Sequence, residues 1–419
     1  IGIPVFALMI FAEKFYGHLK GNDTVPWMDA VSSSYSGITM MVRMLIGYGL
    51  VLVPYGYMVK HLALVNIQPT WLLYTVAFIV IDFNSYWGHR LVHRINLFWN
   101  RHLIHHSSEE FNLACALRQS ISDFVNFFFF LSIPSAMLGI SPGVVALLVP
   151  IHKFAQYWYH TRLIGNLGFL EHVLVTPSHH RVHHALNPQY IDKNYSAVFI
   201  IWDKIFGTFQ AELDDVPPVY GITRPVRSYN PITINFDHLL LLVKDAWRAE
   251  NLWDKLTIWV RPTAWRPAGF NSKYPVAQIA DPYRYTKFNP PHTRALVVWS
   301  MTQLFTLLLS VIYIIQHISI MGNTGLWLLG LFVFAQVYSA TELMNHNKLA
   351  PAFALTSTLV CIGLYIGDNT WFGMASVWAG FPPLFVIYFA LQALLAFWFA
   401  GTFTAAGADV SFIAGQNNN

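Results

Sequence analysis

Of the eighteen histidines in this 419-residue chain, twelve fall between positions 89 and 184, and their spacing has a pattern. His89 and His93 are four residues apart. His102, His105 and His106 form an HxxHH group, His180, His183 and His184 form a second one, and His160 stands twenty residues before it. On a helix, positions i, i+3 and i+4 share a face, so each group can aim two or three imidazoles at one region. An isolated histidine is usually an ordinary surface or hydrogen-bonded residue, and His18, His61, His152, His172, His238, His292, His317 and His346 are read that way. Three spaced groups within about one hundred residues are not. Nine imidazoles exceed the four ligands of a tetrahedral zinc and suit two metal ions. Imidazole serves Fe, Zn, Cu and Ni alike, so ligand type alone leaves the metal open. His179 touches the last group but lies outside its spacing, and a role in orienting a ligand is expected of it.

Other metal and nucleophile chemistries fit poorly. A zincin peptidase needs H-E-x-x-H, whereas here Arg90 stands after His89 where that motif has its catalytic glutamate. Carboxylate-bridged di-iron bundles use E-x-x-H, which does not occur between 82 and 204. There is no G-x-S-x-G elbow. What remains is an all-histidine or nearly all-histidine metal pair, suited to activating O2 beside lipid C–H bonds.

The elements that must position these side chains are membrane elements. Hydrophobic residues make up 55% of the chain and charged residues 11%, far from the soluble norm. Apolar stretches recur at 37 to 59, 71 to 87, 121 to 150, 295 to 318, 325 to 341, 349 to 367 and 377 to 404. Roughly 20 such residues suffice to cross a bilayer core. The opening stretch 1 to 11 is also apolar and lacks the basic start and small-residue cleavage site of a signal peptide. An all-α, polytopic integral membrane fold is therefore expected. The stretch 71 to 81 runs directly into DFNSYWGHRLVH, which puts His89 and His93 at the end of a span. The aromatic run 127 to 130 is read as lipid-facing or core.

Charge is distributed unevenly. Of 25 Lys and Arg residues only Lys348 lies beyond 295, so the positive-inside rule places the histidine-rich segments on the cytoplasmic face. Three regions are expected: 1 to 202, membrane helices and the histidine core; 203 to 294, a polar, proline-containing cap; and 295 to 419, a C-terminal membrane bundle. Within the cap, 237 to 259 sets Trp and Leu opposite charge at helical spacing, which suits either a helix lying in the interface or a soluble helix packed on the cap. The short tail GQNNN is the one low-complexity tract. Cys115 and Cys361 offer no disulfide framework or cysteine metal site. A formal charge of +4 gives no case for nucleic-acid binding.

The segments 82 to 120 and 176 to 212, with HHSSEEFN, ALRQS, IDKNY and WDKIFGTF beside the histidines, resemble the alkylglycerol monooxygenase family of the fatty acid hydroxylase and sterol desaturase superfamily. The strong resemblance covers 82 to 212. It implies an integral di-iron enzyme of the endoplasmic reticulum or a bacterial inner membrane. Such an enzyme uses O2 to hydroxylate the ether-bearing carbon of an alkylglycerol, giving a fatty aldehyde and a glycerol derivative. Hydroxylation or desaturation of a fatty acid, sterol or carotenoid by the same metal pair is the alternative. By motif, the implied iron ligands are His89, His93, His102, His105, His106, His160, His180, His183 and His184. Gln156, four residues before His160, stands where the superfamily pattern allows His or Gln. Arg94 occupies the position of a glutamate associated with tetrahydrobiopterin use in the animal enzymes, which makes it the candidate cofactor contact and leaves a pterin or a redox protein as external electron donor. The chain has no haem-binding HPGG and no dinucleotide G-x-G-x-x-G at a strand-to-helix turn.

Beside the boxes, Glu109, Arg118 and Asn194 are the expected catalytic side chains, and Gln119, Asp192 and Asp203 could orient imidazoles through their second nitrogen. The charge asymmetry yields a topological prediction. Cysteines introduced at Ser107 and Ser228 label from the same face of sealed vesicles; labelling from opposite faces contradicts the assignment.

Overall fold

The computed structural model describes residues 2–47, 51–65, 70–123, 125, 127–368, 371 and 373–403. The tail GQNNN, positions 48–50 of the expected 37 to 59 span, positions 124 and 126 of the 121 to 150 span and position 404 lie outside this set. The described chain is helical, with bridges at Leu174–Phe199 and Ala185–Tyr220 in place of strands. It divides into two compact units. The first comprises Ile1–Pro26, Gly49–Pro225 and Asn235–Tyr285, and the second Trp27–Tyr48, Val226–Ile234 and Thr286–Asn419.

Among the described residues, four helices are long and apolar enough to cross a membrane, Arg294–Ile318, Gly322–Met344, Ala350–Gly367 and Phe381–Thr402, and a fifth crossing is made if the bent pair Phe127–Met137 and Pro142–Phe154 is one span. The four coincide with the four C-terminal stretches of the hydropathy reading, and all belong to the second unit. The first two are continuous except at Gly322, whose φ of 64° breaks the helical path. Helix Trp27–Leu45 joins this unit because of close packing. A Cβ placed on Gly330 would lie 2.8 Å from Ile46 Cγ2 and 3.3 Å from Val42 Cγ1, an approach that small residues permit between helices.

The three earlier apolar stretches are not among these four helices. Helix Trp27–Leu45 buries Ser32, Ser33, Ser36 and Thr39 along with Val31, Tyr35 and Ile38, and a separate helix, Tyr55–Leu62, follows. Phe127–Met137 and Pro142–Phe154 meet at 115°. Gly139 sits at the bend with φ 64°, and a Cβ there would lie 2.1 Å from the Val65 carbonyl oxygen, so no other residue fits. Helix Trp71–Arg94 is continuous, capped by Thr70, which accepts from Leu73 N at 3.3 Å. It is apolar only to Ile81, and beyond that point it carries Asp82, Asn84, His89, Arg90 and His93.

Asp82 organises the first unit. Its side chain is fully buried, and it accepts from Val198 N at 2.9 Å, Phe199 N at 3.1 Å and Trp202 Nε1 at 2.9 Å. His152 Nε2 lies 2.7 Å from the other carboxylate contact, Oδ1. One side chain thus ties the histidine-bearing helix to Pro142–Phe154 and to the loop after the last histidine box. Just N-terminal to it, Leu73, Ala77 and Ile81 pack on Ile140, Val144 and Leu148. Because a buried carboxylate loses its solvation and regains it only through these donors, Asp82→Asn should destabilise the protein by about 3 kcal/mol. Thermal unfolding in detergent measures this, and an unchanged transition would refute the role.

Candidate metal centre

The nine motif histidines converge, and they do so in two groups. Ligand atoms of His89, His93, His102, His106 and His183 lie within 4.8 Å of one another, as do those of His105, His160, His180 and His184. Each HxxHH box serves both groups. His102 and His106 face the first group and His105 the second, whereas His180 and His184 face the second and His183 the first. Helical geometry explains the exchange. At roughly 100° per residue, i and i+4 point about 40° apart while i+3 falls about 60° to the other side of i. The i, i+4 pair therefore shares one focus and the i+3 ring swings to the other.

Backbone carbonyls set the orientation of several rings. His89 Nδ1 lies 2.7 Å from the Tyr195 carbonyl oxygen, His183 Nδ1 2.8 Å from that of Lys193, and His160 Nδ1 3.3 Å from that of Tyr157. A carbonyl only accepts, so these Nδ1 atoms carry the proton and Nε2 is the bare nitrogen. The loop supplying two of those carbonyls is held with care. Asp203 accepts from Tyr195 N and Ser196 N, both at 2.8 Å, and from Thr208 Oγ1 at 2.6 Å. Asp192 and Asn194 flank Lys193 with φ of 61° and 53°, left-handed conformations that Asn and Asp tolerate better than most residues.

These contacts leave the bare Nε2 of His89 and of His160 facing other imidazole nitrogens. His89 Nε2 is 2.9 Å from His102 Nε2, which is 3.0 Å from His106 Nε2. In the other group, His180 Nε2 is 2.9 Å from His160 Nε2 and 3.0 Å from His184 Nε2. His93 Nε2 and His183 Nε2 are buried without a protein partner. Burial, the largest influence at all nine, holds their pKa values below the usual histidine range, to about 3 at His160 and about 4 at His183. Neutral imidazoles with convergent lone pairs are a donor set for a cation, and both groups fit a metal ion.

The flanking candidates lie outside both groups. Glu109 is half-buried and accepts from the Tyr285 hydroxyl. Arg118 is buried and donates to Ser107 Oγ at 2.8 Å. Asn194 donates to the His179 and Gln210 carbonyls at 3.1 and 2.7 Å and accepts from Gln210 N at 2.8 Å, so its amide braces the loop. Arg94, with a side chain 57% exposed, pairs with Asp192 at 2.8 Å. Gln156 turns to His152, 2.9 Å from its Nδ1. His179 accepts from Thr176 N at 3.4 Å and caps the helix Pro177–His183. Asp82 escaped the sequence reading; His152, read as an ordinary surface or hydrogen-bonded residue, is its buried partner. The available signal was a carboxylate at the point where an apolar helical run turns polar.

The pKa depression gives a pH dependence for the metal-free protein. Unfolding returns each imidazole to about 6.5, so below that value the unfolded chain takes up protons that the folded chain refuses. Stability is therefore fully present above about pH 6.5 and falls as the pH drops towards 4. Thermal unfolding of chelator-treated protein across this range should show the decline, and a flat profile would contradict buried neutral rings.

Comparison with known proteins places this geometry. The fatty acid hydroxylase family profile matches residues 74–208, which hold all nine histidines. Human (Homo sapiens) alkylglycerol monooxygenase is 33% identical over 366 residues, covering 86% of this chain and 80% of its own length. The Danio rerio enzyme is 35% identical over 71% of this chain and 65% of its own length, and the Xenopus tropicalis enzyme 35% identical over 62% and 58%. No solved structure matches the chain. With the double histidine group inside the matched core, and the likeness to the human protein continuing well beyond it, the chain belongs to the alkylglycerol monooxygenase family, lipid-hydroxylating monooxygenases of the membrane.

Proposed function

We propose that this chain is a di-iron monooxygenase that hydroxylates the ether-bearing carbon of alkylglycerols. The carrying observation is the pair of carboxylate-free imidazole groups, five and four strong, joined through two shared boxes. The nine histidines are proposed as the ligands of two iron ions. When bound, iron supplies O2 activation and insertion of one oxygen atom into a C–H bond. In sum, the alkyl CH2 beside the ether oxygen, O2, two electrons and two protons give a hemiacetal and water. The hemiacetal then collapses to a fatty aldehyde and the free glycerol hydroxyl.

The protein's own share is positioning. Tyr195 and Lys193 carbonyls hold His89 and His183 in register, and Asp203 holds the loop that presents them. Glu109, with Tyr285, and the nearby Arg118 are proposed to meet the polar head of the substrate, with Asn194 as a positioning residue. Presenting the head at this level brings the carbons next to it, rather than the distant methyl end, to the histidines. In this reading residues 1 to 202 carry the chemistry, 203 to 294 cover the site on the cytoplasmic side, and 295 to 419 hold the chain in the endoplasmic reticulum or bacterial inner membrane. Electrons come from outside the chain. A tetrahydropterin is the first candidate, with Arg94 at the corresponding contact, and a redox protein is the second.

Given a 1-O-alkylglycerol, O2 and a tetrahydropterin or a reducing protein system, the purified enzyme should form a fatty aldehyde of unchanged chain length. Hydroxylation of a fatty acid or sterol without aldehyde would refute the ether-lipid assignment. Elemental analysis should find close to two metal ions per chain. His105→Ala and His183→Ala should each abolish activity while the helical spectrum persists, and Asp203→Asn should weaken metal retention by about 10–100-fold.

A further inference from the structure

The helix Pro231–Arg248 buries a mixed face from Asn235 onward. Asn235, His238 and Asp245 are buried beside Leu242 and Ala246, which pack with Ile258. Asn235 Oδ1 accepts from Ile121 N at 2.9 Å, and Asp245 pairs with Arg266 at 2.7 Å. Its open side carries Leu240, Val243 and Trp247, the last 86% exposed. These are spaced i, i+3, i+7 and therefore form one stripe. After a short turn, the helix Leu252–Thr257 and its continuation leave Trp253, Leu256 and Val260 exposed as well. The helix thus has apolar groups on its open face in addition to those it buries, and a contiguous exposed stripe of this size marks contact with an apolar medium.

We propose that these two helices lie in the lipid headgroup interface with the stripe immersed in the acyl boundary. Several features select lipid as the occupant. The chain already carries four membrane-length helices, so a bilayer is always present beside it. Tryptophan on the stripe suits the boundary between water and hydrocarbon, where it has an apolar ring and a polar N–H. Lys244 is exposed between Val243 and Trp247, and Arg248 is exposed at the helix end; long basic side chains here reach up to phosphate while their stems stay in the apolar layer. The neighbouring acids do not oppose this. Asp237 pairs with Arg224, Asp245 with Arg266, and Lys273 lies 3.8 Å from Glu250.

This surface is also wired to the histidines. Leu97 N donates to the Trp259 carbonyl and Asn96 N to that of Arg261, both at 2.9 Å, and Asn96 Nδ2 donates to the Ile258 carbonyl at 3.0 Å. The Thr263 hydroxyl donates to the carbonyl of His93 itself. Seating the two helices in lipid therefore fixes the depth of the turn joining the first two histidine boxes. The inference stands independently of the metal and substrate proposed above.

The test uses the full chain in vesicles of phosphatidylcholine with phosphatidylglycerol, with nitroxides at Val243→Cys, Trp247→Cys or Leu256→Cys and a water-facing reference at Arg284→Cys. Cys115 and Cys361 are buried, and unsubstituted protein reports any background labelling. Power-saturation spectra compare collisions with O2, which partitions into lipid, and with a water-soluble nickel chelate. The three stripe positions should show a several-fold higher ratio of O2 to nickel collisions than the reference. A ratio equal to the reference would place the stripe in water, and probes shielded from both reagents would place it against protein, such as a second copy; either overturns the proposal.

Discussion

Bare imidazole nitrogens held about 3 Å apart repel one another unless a cation or a proton lies between them, and much of the first unit is arranged to keep them there. Removing nine imidazoles from water costs hydration, and burial drives their pKa values down, so protonation is no remedy near neutral pH. The surrounding chain supplies the constraint that holds them. Carbonyls of Tyr195, Lys193 and Tyr157 fix which nitrogen is bare. Two buried aspartates then fix the carbonyls. Asp203 gathers the backbone at Tyr195 and Ser196, and Asp82 gathers it at Val198 and Phe199 while binding the histidine-bearing helix itself.

This hierarchy explains why so few carboxylates approach the site directly. A carboxylate at the metal would neutralise charge and compete for coordination positions. Here acidic groups act one layer out, through main-chain N–H groups, and leave both foci to neutral nitrogen donors. The left-handed residues Asp192 and Asn194 serve the same purpose, because turning the chain sharply on both sides of Lys193 aims its carbonyl at His183.

The two units solve different physical problems. The second satisfies its backbone within long helices, as a bilayer requires, and pairs buried polar side chains within the unit: Glu342 accepts from the amides of Asn230 at 2.7 Å and Asn347 at 2.6 Å. The first unit breaks its helices repeatedly, at the Gly139 bend and around the short helices Leu103–His106 and Pro177–His183. Short helices joined by turns can send adjacent side chains such as His105 and His106 to different histidine groups. A long regular helix could not bring nine rings from four segments to two points.

The sequence by itself determined the composition of the site and the class of fold. Histidine spacing is a local property, so the three boxes and His160 were legible as a metal constellation, and sustained apolar runs identified the four C-terminal spans because crossing length depends on composition alone. The tertiary structure decided what depends on distant partners. The five-and-four division follows from how separate short helices face one another, which no spacing within one box reveals. Asp82 and His152 looked like isolated residues because their donors lie up to 120 residues away. Asn194 looked catalytic beside its motif, yet its amide is committed to backbone groups across a turn. The run at 37 to 59 reads as one stretch, but its residues divide between the helices Trp27–Leu45 and Tyr55–Leu62; the run at 121 to 150 holds two helices that together are long and apolar enough to cross but meet at 115°, a bend that hydropathy averaged over a window does not register. Local chemistry can be read along the chain; direction and partnership exist only after the chain has folded back on itself.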